Sequence, residues 1–427
     1  MLYQHVNHRP SSRREALLTV LAIAATMVFL ALVARSMVNV GIVEWSRHQF
    51  WPRVVFVTFV ATIAGLMYGV LVFLVSRLGY YVRFSRFVPE QHQPDLALPD
   101  ATSLPSLVVL VPSYKEDAIT IRQTRLSAAL QDYPGRHIVL LLDDPPFPTT
   151  SQDRALIASA RAMPAEISRL LAEPLSSARR LASDFEERTG DVLDPTLETR
   201  FLKEAYMLAA NWFDRQASKL SNTDHVGDLY RGLVFERHRD MLEAAAENLS
   251  SVQDALPAHA GDFRMRYERL IHQFNVDITV FERKRYANIS HEANKAANLN
   301  SYINLIGKTV REVRVSGEAL LSECDCQEPG AIVVRDAEFI VTLDADSLIA
   351  PDYARRLMAV MEAPGNERLA VVQTPYSAIP NAPSVIERIA GATTDIQYVV
   401  HQGFTWLGAT FWVGANALLR KVALDDI

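Results

Sequence analysis

The segment FIVTLDADSLIAPD, Phe339–Asp352, places two carboxylates directly after a largely apolar run. A short apolar run of this kind is typical of a buried strand. Asp344 and Asp346 stand two residues apart, so in an extended segment both side chains would point to the same side. Mg²⁺ and Mn²⁺ prefer carboxylate oxygens and complete their shell with substrate phosphate. Taken alone, the pair fits a metal site or a strand end capped by solvated acids.

Three earlier segments have the same pattern of an apolar strand followed by polar residues. They are SLVVLVPSYKED (Ser106–Asp117), RHIVLLLDDPPFP (Arg136–Pro148) and VDITVFERK (Val276–Lys284). Continuous apolar strands that alternate with helices predict a parallel sheet covered on both faces, and ligands of such sheets bind beyond the carboxyl ends of the strands. The acids at these predicted ends are Glu116, Asp143, Asp144, Asp344 and Asp346. We therefore predict an α/β domain with its ligand site at this edge.

Two segments near the start of the chain are long, apolar and free of charge. Ala16–Ala34 has nineteen such residues and Val54–Val75 has twenty-two. Each is long enough to cross a hydrocarbon core as a helix, at about 1.5 Å per residue. The sequence therefore predicts transmembrane helices at about 16–35 and 54–75, with a cleaved signal peptide as the alternative for the first.

The arginines near these two segments predict how the chain is oriented. Six flank the pair and three lie between the segments. The excess outside the pair predicts that both ends face the cytoplasm. The chain is thus expected to be a multi-pass protein of the cell's inner membrane, embedded in the lipid bilayer, with a cytoplasmic α/β domain.

The rest of the chain divides by composition. We predict a membrane region over 1–88, a proline-spaced linker over 89–105 and the α/β domain over 106–427. A segment at about 151–275 is charged, rich in Ala and Leu, and has helical spacing of apolar residues, which predicts a helical insertion. A solvated lid, a docking surface for a protein partner and an inert elaboration are all open for it.

Composition and charge exclude two classes of function. The chain has 49% hydrophobic and 22% charged residues and a formal net charge of −6. These values are not those of a disordered chain or of a nucleic-acid-binding protein. Cys324 and Cys326 are the only cysteines, and a Cys-x-Cys pair without nearby histidines does not supply the four ligands of a zinc site.

The segment SHEANKAANLNSYINLIG, Ser290–Gly307, predicts a helix that begins after Ser290 as N-cap and ends at Gly307. Lys295 lies near the predicted start. Unpaired N–H groups and the helix dipole favour phosphate at that position.

Together these segments resemble the processive, membrane-embedded family-two glycosyltransferases, the group of the cellulose, chitin and hyaluronan synthases. VPSYKED is similar to the family's nucleotide-binding Pro-x-Tyr-x-Glu opening, and LLLDD to the strand whose Asp contacts uridine. NKAANLN is similar to the Lys-Ala-x-x-Leu-Asn signature at the nucleotide sugar. The resemblance therefore implies donor-binding roles for Pro112, Tyr114, Glu116, Asp143 with Asp144 beside it, Lys295 and Asn300.

The later motifs follow in the family's order. LDADS resembles the metal-binding Asp-x-Asp, which gives Asp344 and Asp346 the catalytic and metal-binding role. VVQTPY resembles the Gln-Thr-Pro segment, and FWVGANALLR the aromatic-Gly-Asn stretch near the acceptor. These two segments imply acceptor-side roles for Gln373, Trp412 and Asn416.

The resemblance implies a glycosyltransferase A-type, Rossmann-like fold and an inverting transfer. The donor would be a nucleoside-diphosphate sugar, UDP-linked, the cofactor Mg²⁺ or Mn²⁺, and the acceptor a growing glycan. Two features depart from the family: the insertion at 151–275 is longer, and KVALDDI (Lys421–Ile427) stops before the Thr-Glu-Asp motif that holds the acceptor base. We therefore expect a domain truncated at its C-terminus, with its general base not identified.

Two other functions fit parts of the sequence. Asp344-Ala-Asp346-Ser347 shares the first three positions of the Asp-x-Asp-x-Ser string of haloacid-dehalogenase-like phosphotransferases, in which the first Asp forms an aspartyl-phosphate, but Leu348 stands where that string has Ser. That string normally follows the first strand of its domain, whereas three predicted strands precede it here. The missing base motif also fits a non-catalytic membrane protein that binds sugar nucleotide.

Overall fold

The computed structural model describes residues 12–46, 49–86, 104–189, 193–220, 224–251, 259–374 and 376–425. Contacts divide the chain into two units. The first comprises Met1–His92, Pro375–Ala378 and Ala382–Phe411, and the second comprises Gln93–Thr374, Ile379–Asn381 and Trp412–Ile427. The sequence-based domain boundaries had placed the segment Ala382–Phe411 with the α/β domain.

The described elements include a run of helices from Ser151 to Phe274 between two strands and a run of strands from Thr309 to Thr342. In order they are α1 (Ser12–Ser46), α2 (Phe50–Arg86), β1 (Leu107–Ser113), α3 (Ala118–Ala129), β2 (His137–Leu142), α4 (Ser151–Arg188), α5 (Pro195–Ser218), α6 (His225–Tyr230), a π-helical turn (Arg231–Glu236), α7 (Arg237–Ser251), α8 (Ala260–Phe274), β3 (Asp277–Glu282), a 3-10 turn (Arg283–Arg285), α9 (Lys295–Ile303), β4 (Thr309–Val315), β5 (Glu318–Glu323), β6 (Ile332–Val333), β7 (Phe339–Thr342), α10 (Tyr353–Met361), β8 (Val371–Gln373), α11 (Val385–Trp406), β9 (Ala417–Arg420) and α12 (Lys421–Asp425).

The first unit is built from α1, α2 and α11. Helices α1 and α2 are long and apolar enough to cross a membrane, with mean hydropathies of 2.7 and 2.3 in their most apolar stretches. Both extend beyond the predicted spans at 16–35 and 54–75. Helices α2 and α11 pack closely at Gly403, where an added Cβ atom would lie 2.0 Å from the carbonyl oxygen of Ser76.

The second unit contains a six-stranded sheet in the order β3-β2-β1-β7-β9-β8. Strands β3, β2, β1 and β7 run parallel, as their continuous apolar sequences predict. Strand β9 runs antiparallel to both of its neighbours, so the sheet is mixed rather than fully parallel. Its four residues are too few to show a pattern in the sequence, and its pairing depends on contacts distant along the chain.

Helices cover both faces of this sheet. Leu107, Val109 and Val111 of β1 face a core that includes residues of α3 and of the inserted helices α4, α5 and α8. Val108 and Leu110 face the opposite core, which includes residues of α9 and β4. Because the inserted helices share the main core of the sheet, they form a structural layer of this unit.

Candidate functional site

A cavity of about 440 Å³ lies beyond the carboxyl ends of β1, β2 and β7. Seven of the residues singled out in the sequence line it. They are Pro112, Tyr114, Glu116, Asp143, Lys295, Asp344 and Asp346. The parallel strands bring six of these residues together from three parts of the chain, because their carboxyl ends meet at one edge of the sheet, and the start of α9 adds Lys295. We call this space the donor cavity.

Asp344 and Asp346 lie in a turn, whereas the sequence analysis assumed an extended segment. Strand β7 ends at Thr342, and the N–H of Ser347 donates to the carbonyl oxygen of Asp344 at 3.1 Å. The i to i+3 hydrogen bond defines a tight turn. Both carboxylates still line the donor cavity, because the turn lies at the carboxyl end of the strand.

Asn416 holds this turn at both ends. Its Oδ1 accepts from the backbone N–H of Asp344 at 3.4 Å, and its Nδ2 donates to Oγ of Ser347 at 3.0 Å. Asn416 has a φ of +50°, a left-handed conformation that asparagine adopts more readily than most residues. The residue predicted for the acceptor side is therefore also a structural partner of the Asp-x-Asp turn.

Lys295 is the first residue of α9, and the ammonium of its side chain donates to Oδ1 of Asp344. The predicted N-cap at Ser290 is wrong, since the helix begins at Lys295. Asn294 caps the helix, and its Oδ1 accepts from the N–H of Ala297 at 2.7 Å. Because the helix begins at Lys295, this residue, and not one of those before it, lies at the helix N-terminus, which favours phosphate.

Asn298 lines the donor cavity, whereas the predicted Asn300 lies on another face of α9. The side-chain Nδ2 of Asn298 donates to the carbonyl oxygen of Leu141 at 3.0 Å, which ties α9 to the end of β2. Its Oδ1 is buried and has no hydrogen-bond partner among the described residues. The motif resemblance did not show which of these two asparagines lines the cavity, because a sequence motif does not determine which face of the helix points toward the cavity.

Asp143 is paired with two basic residues that the sequence analysis did not single out. Nε of the fully buried Arg283 donates to Oδ1 of Asp143 at 2.6 Å, and Nζ of Lys284 donates to the carbonyl oxygen of Asp143 at 2.5 Å. Arg283 also donates to the carbonyl oxygens of Ser290 and Glu292. The basic run directly after β3 was the only sequence signal for this arrangement.

The acids around the donor cavity repel one another. Partial burial raises the pKa of Glu116, and the charges of Asp346, Asp144 and Asp344 raise it further. Burial also raises the pKa of Asp144, although the backbone N–H of Lys115, 3.4 Å from its Oδ2, opposes that shift. A bound cation would relieve this repulsion.

These residues fit a divalent metal that is held partly by its substrate. Within the described ranges, no three side chains of His, Cys, Asp or Glu form a complete metal-binding group. Mg²⁺ commonly takes only one or two protein carboxylates and completes its shell with water and substrate phosphate. Asp344 and Asp346 line the same cavity and would supply the two carboxylates of such a site.

The other acceptor-side candidates lie outside the lining of the donor cavity. Oε1 of Gln373 accepts from the backbone N–H of Val413 at 3.0 Å, which fixes the segment before β9. The side chain of Trp412 is 37% exposed, so it is not a residue of the core. Both residues are close to Asn416. Trp412 lies shortly before it in the chain, and Gln373 of β8 is opposite Ala417 of β9, the residue that follows Asn416.

Comparison with protein families finds a match for the last part of the chain. Residues 339–427 match the family model described as Glycosyl transferase family group 2. No match to a curated protein was found. The matched segment begins at the first residue of β7 and includes Asp344, Asp346 and Asn416. The match supports a family-two glycosyltransferase and therefore a transferase activity.

Proposed function

We propose that this chain is a membrane-bound glycosyltransferase that moves a sugar from a UDP-linked donor to a glycan acceptor with inversion, in polysaccharide synthesis. One observation carries the proposal: a single cavity collects the Pro-x-Tyr-x-Glu residues, Lys295 and the Asp-x-Asp pair. The family match over 339–427 supports the same reaction class over the alternative phosphotransferase that would use Asp344 as a nucleophile.

In this proposal the nucleoside occupies the part of the donor cavity near β1 and β2. The ring of Tyr114 is exposed there, and Nζ of Lys284 lies 5.6 Å from its centroid. Asp143 forms ion pairs with Arg283 and Lys284, which compensate its charge. Its carboxylate is thereby fixed as a hydrogen-bond acceptor for the nucleoside. Lys295, at the start of α9, provides an ammonium group for a diphosphate oxygen.

Asp344 and Asp346 are proposed to hold Mg²⁺ or Mn²⁺ together with the diphosphate. When bound, the cation would supply positive charge that stabilises the leaving nucleoside diphosphate. The protein's part is to hold both carboxylates on the cavity, which Asn416 does through its two hydrogen bonds to the turn.

The acceptor hydroxyl would attack the anomeric carbon from the side opposite the leaving diphosphate, which inverts the configuration. This step needs a base for the hydroxyl proton, and we assign no residue to that role. Gln373 and Trp412 are proposed to lie on the acceptor side, where an aromatic ring can pack on a sugar face. Helices α1 and α2 would anchor the chain in the inner membrane, with the donor cavity on the cytoplasmic side.

Calorimetry on the purified chain tests the donor and metal assignments together. We expect a panel of UDP-sugars to bind only when Mg²⁺ or Mn²⁺ is present, and Asp346→Ala to remove that metal dependence. Asp325→Ala changes an exposed aspartate outside the cavity and serves as the matched control. Equal binding of UDP-sugars with and without metal would contradict the metal assignment, and no binding under either condition would contradict the proposed donor.

A further inference from the structure

A second groove, of about 660 Å³, lies along a different face of α9 from the donor cavity. Lys295 and Asn298 line the donor cavity, whereas Asn300, Ser301 and Asn304 line this second space. Asn300 and Asn304 are four residues apart, so their side chains are neighbours on one face at the end of the helix. We call this space, between α9 and the β4–β5 hairpin, the amide groove.

The far wall of the amide groove is rigidly built. Asn288 makes two hydrogen bonds to Leu321 of β5: its Nδ2 donates to the carbonyl oxygen at 2.7 Å, and its Oδ1 accepts from the N–H at 3.0 Å. The N–H of Ala287 donates to the carbonyl oxygen of Ala319 at 2.9 Å. The segment before α9 is therefore fixed to the edge of β5, so the groove is preformed.

Two amides in this groove are available to a ligand. The side chains of Asn300 and Asn304 are exposed and make no hydrogen bond to any described residue. Each amide offers two donors and an acceptor, which matches a sugar hydroxyl that both donates and accepts. Asparagine costs about 0.5 kcal/mol more than alanine inside a helix, so Asn300 does not serve the stability of α9.

Glu292 adds an exposed carboxylate to the lining, so the groove disfavours an anionic ligand. Lys308 and Glu323 neutralise each other through an ion pair of 2.7 Å. Ile289 and Leu305 are partly exposed and supply aliphatic surface that can pack against the C–H face of a sugar ring, whereas Val310 and Leu321 are buried. The volume lies within the range of about 300–1,000 Å³ that is usual for ligand sites.

We propose that the amide groove binds a neutral oligosaccharide at a site separate from the donor cavity. This goes beyond the proposed transfer reaction: the groove borders the donor cavity at Asn294, which lines both spaces, but Lys295, Asp344 and Asp346 do not line the groove. The amides of Asn300 and Asn304 pair with hydroxyl groups, and the aliphatic surface contacts the ring.

The test uses the full chain in nanodiscs and hexasaccharides of β-1,4-, β-1,3- and α-1,4-linked glucose as probes. Saturation-transfer NMR should show binding of at least one hexasaccharide, with a Kd below about 5 mM. The double substitution Asn300→Ala with Asn304→Ala should weaken it at least about tenfold. Asn211→Ala, at an exposed position of α5, is the matched control and should have no effect.

The donor-cavity variant Asp346→Ala separates this inference from the proposed function. Saccharide binding that persists in Asp346→Ala supports a separate groove, whether or not UDP-sugars bind. Saccharide binding that is lost in Asp346→Ala but kept in the double alanine variant would overturn the inference. The absence of binding by all three hexasaccharides, or binding of a neutral peptide with equal affinity, would also overturn it.

Discussion

Arg283 and Asp143 form a buried ion pair across the ends of β3 and β2, with the guanidinium fully removed from solvent. The same guanidinium donates to the carbonyl oxygens of Ser290 and Glu292, in the loop that leads to α9. Arg283 thus joins the residue proposed for the nucleoside to the loop that delivers Lys295. Removing Arg283 leaves the buried Asp143 with Lys284, 3.4 Å away, as its remaining cation and removes the hydrogen bonds to the loop, which is strongly destabilising.

We predict that Arg283→Gln lowers the free energy of unfolding by about 3 kcal/mol or more and weakens UDP-sugar binding. Chemical denaturation and calorimetry measure the two effects. Arg285→Gln is a matched control two residues away, because Arg285 pairs with Glu312 at the surface. That control should change the free energy of unfolding by less than about 1 kcal/mol. Equal effects of the two substitutions would refute the role of Arg283.

The substitutions Asn416→Gly and Asn416→Ala separate the side chain of Asn416 from its backbone. Both remove the hydrogen bonds to Asp344 and Ser347, so both should lower the metal-dependent affinity for UDP-sugars several-fold. Alanine also strains the left-handed backbone at φ +50°, so it should be less stable than the glycine variant by about 1 kcal/mol. A glycine variant that binds donor as tightly as the wild type would show that the side chain does not position the turn.

Local sequence predicted the part of the site that depends on strand ends. The apolar runs that became β1, β2 and β7 are buried on both sides, and such runs are visible without any knowledge of contacts. Because parallel strands share one edge, the acids that follow them could be expected to meet, and Asp143, Asp344 and Asp346 do line one cavity.

The partners of those acids could not be predicted in the same way. Arg283 lies 140 residues after Asp143 in the chain, and no spacing rule joins two residues that are brought together by neighbouring strands. The start of α9 was also placed too early, because Ser290 and Asn294 are both good N-cap residues. In the structure Asn294 is the cap, and Arg283 binds the carbonyl oxygens of Ser290 and Glu292 in the loop before it, a contact that the local sequence does not show.

The buried His238 of α7 should make the free energy of unfolding depend on pH. Burial lowers the pKa of this histidine to about 4 from its ordinary 6.5, although the contacts of its two ring nitrogens with the carbonyl oxygens of Leu130 and Val234, at 2.7 Å each, and the charge of Asp132 oppose that shift. The unfolded chain takes up a proton below about pH 6.5 more readily than the folded ring does, so the free energy of unfolding should fall, by at most about 3 kcal/mol, as the pH decreases from about 6.5 to 4. Chemical denaturation across this range should show a shallower fall in His238→Gln, and His259→Gln, at an exposed histidine, should leave the slope unchanged. Identical slopes in the wild type and His238→Gln would mean that His238 is not a source of the acid sensitivity.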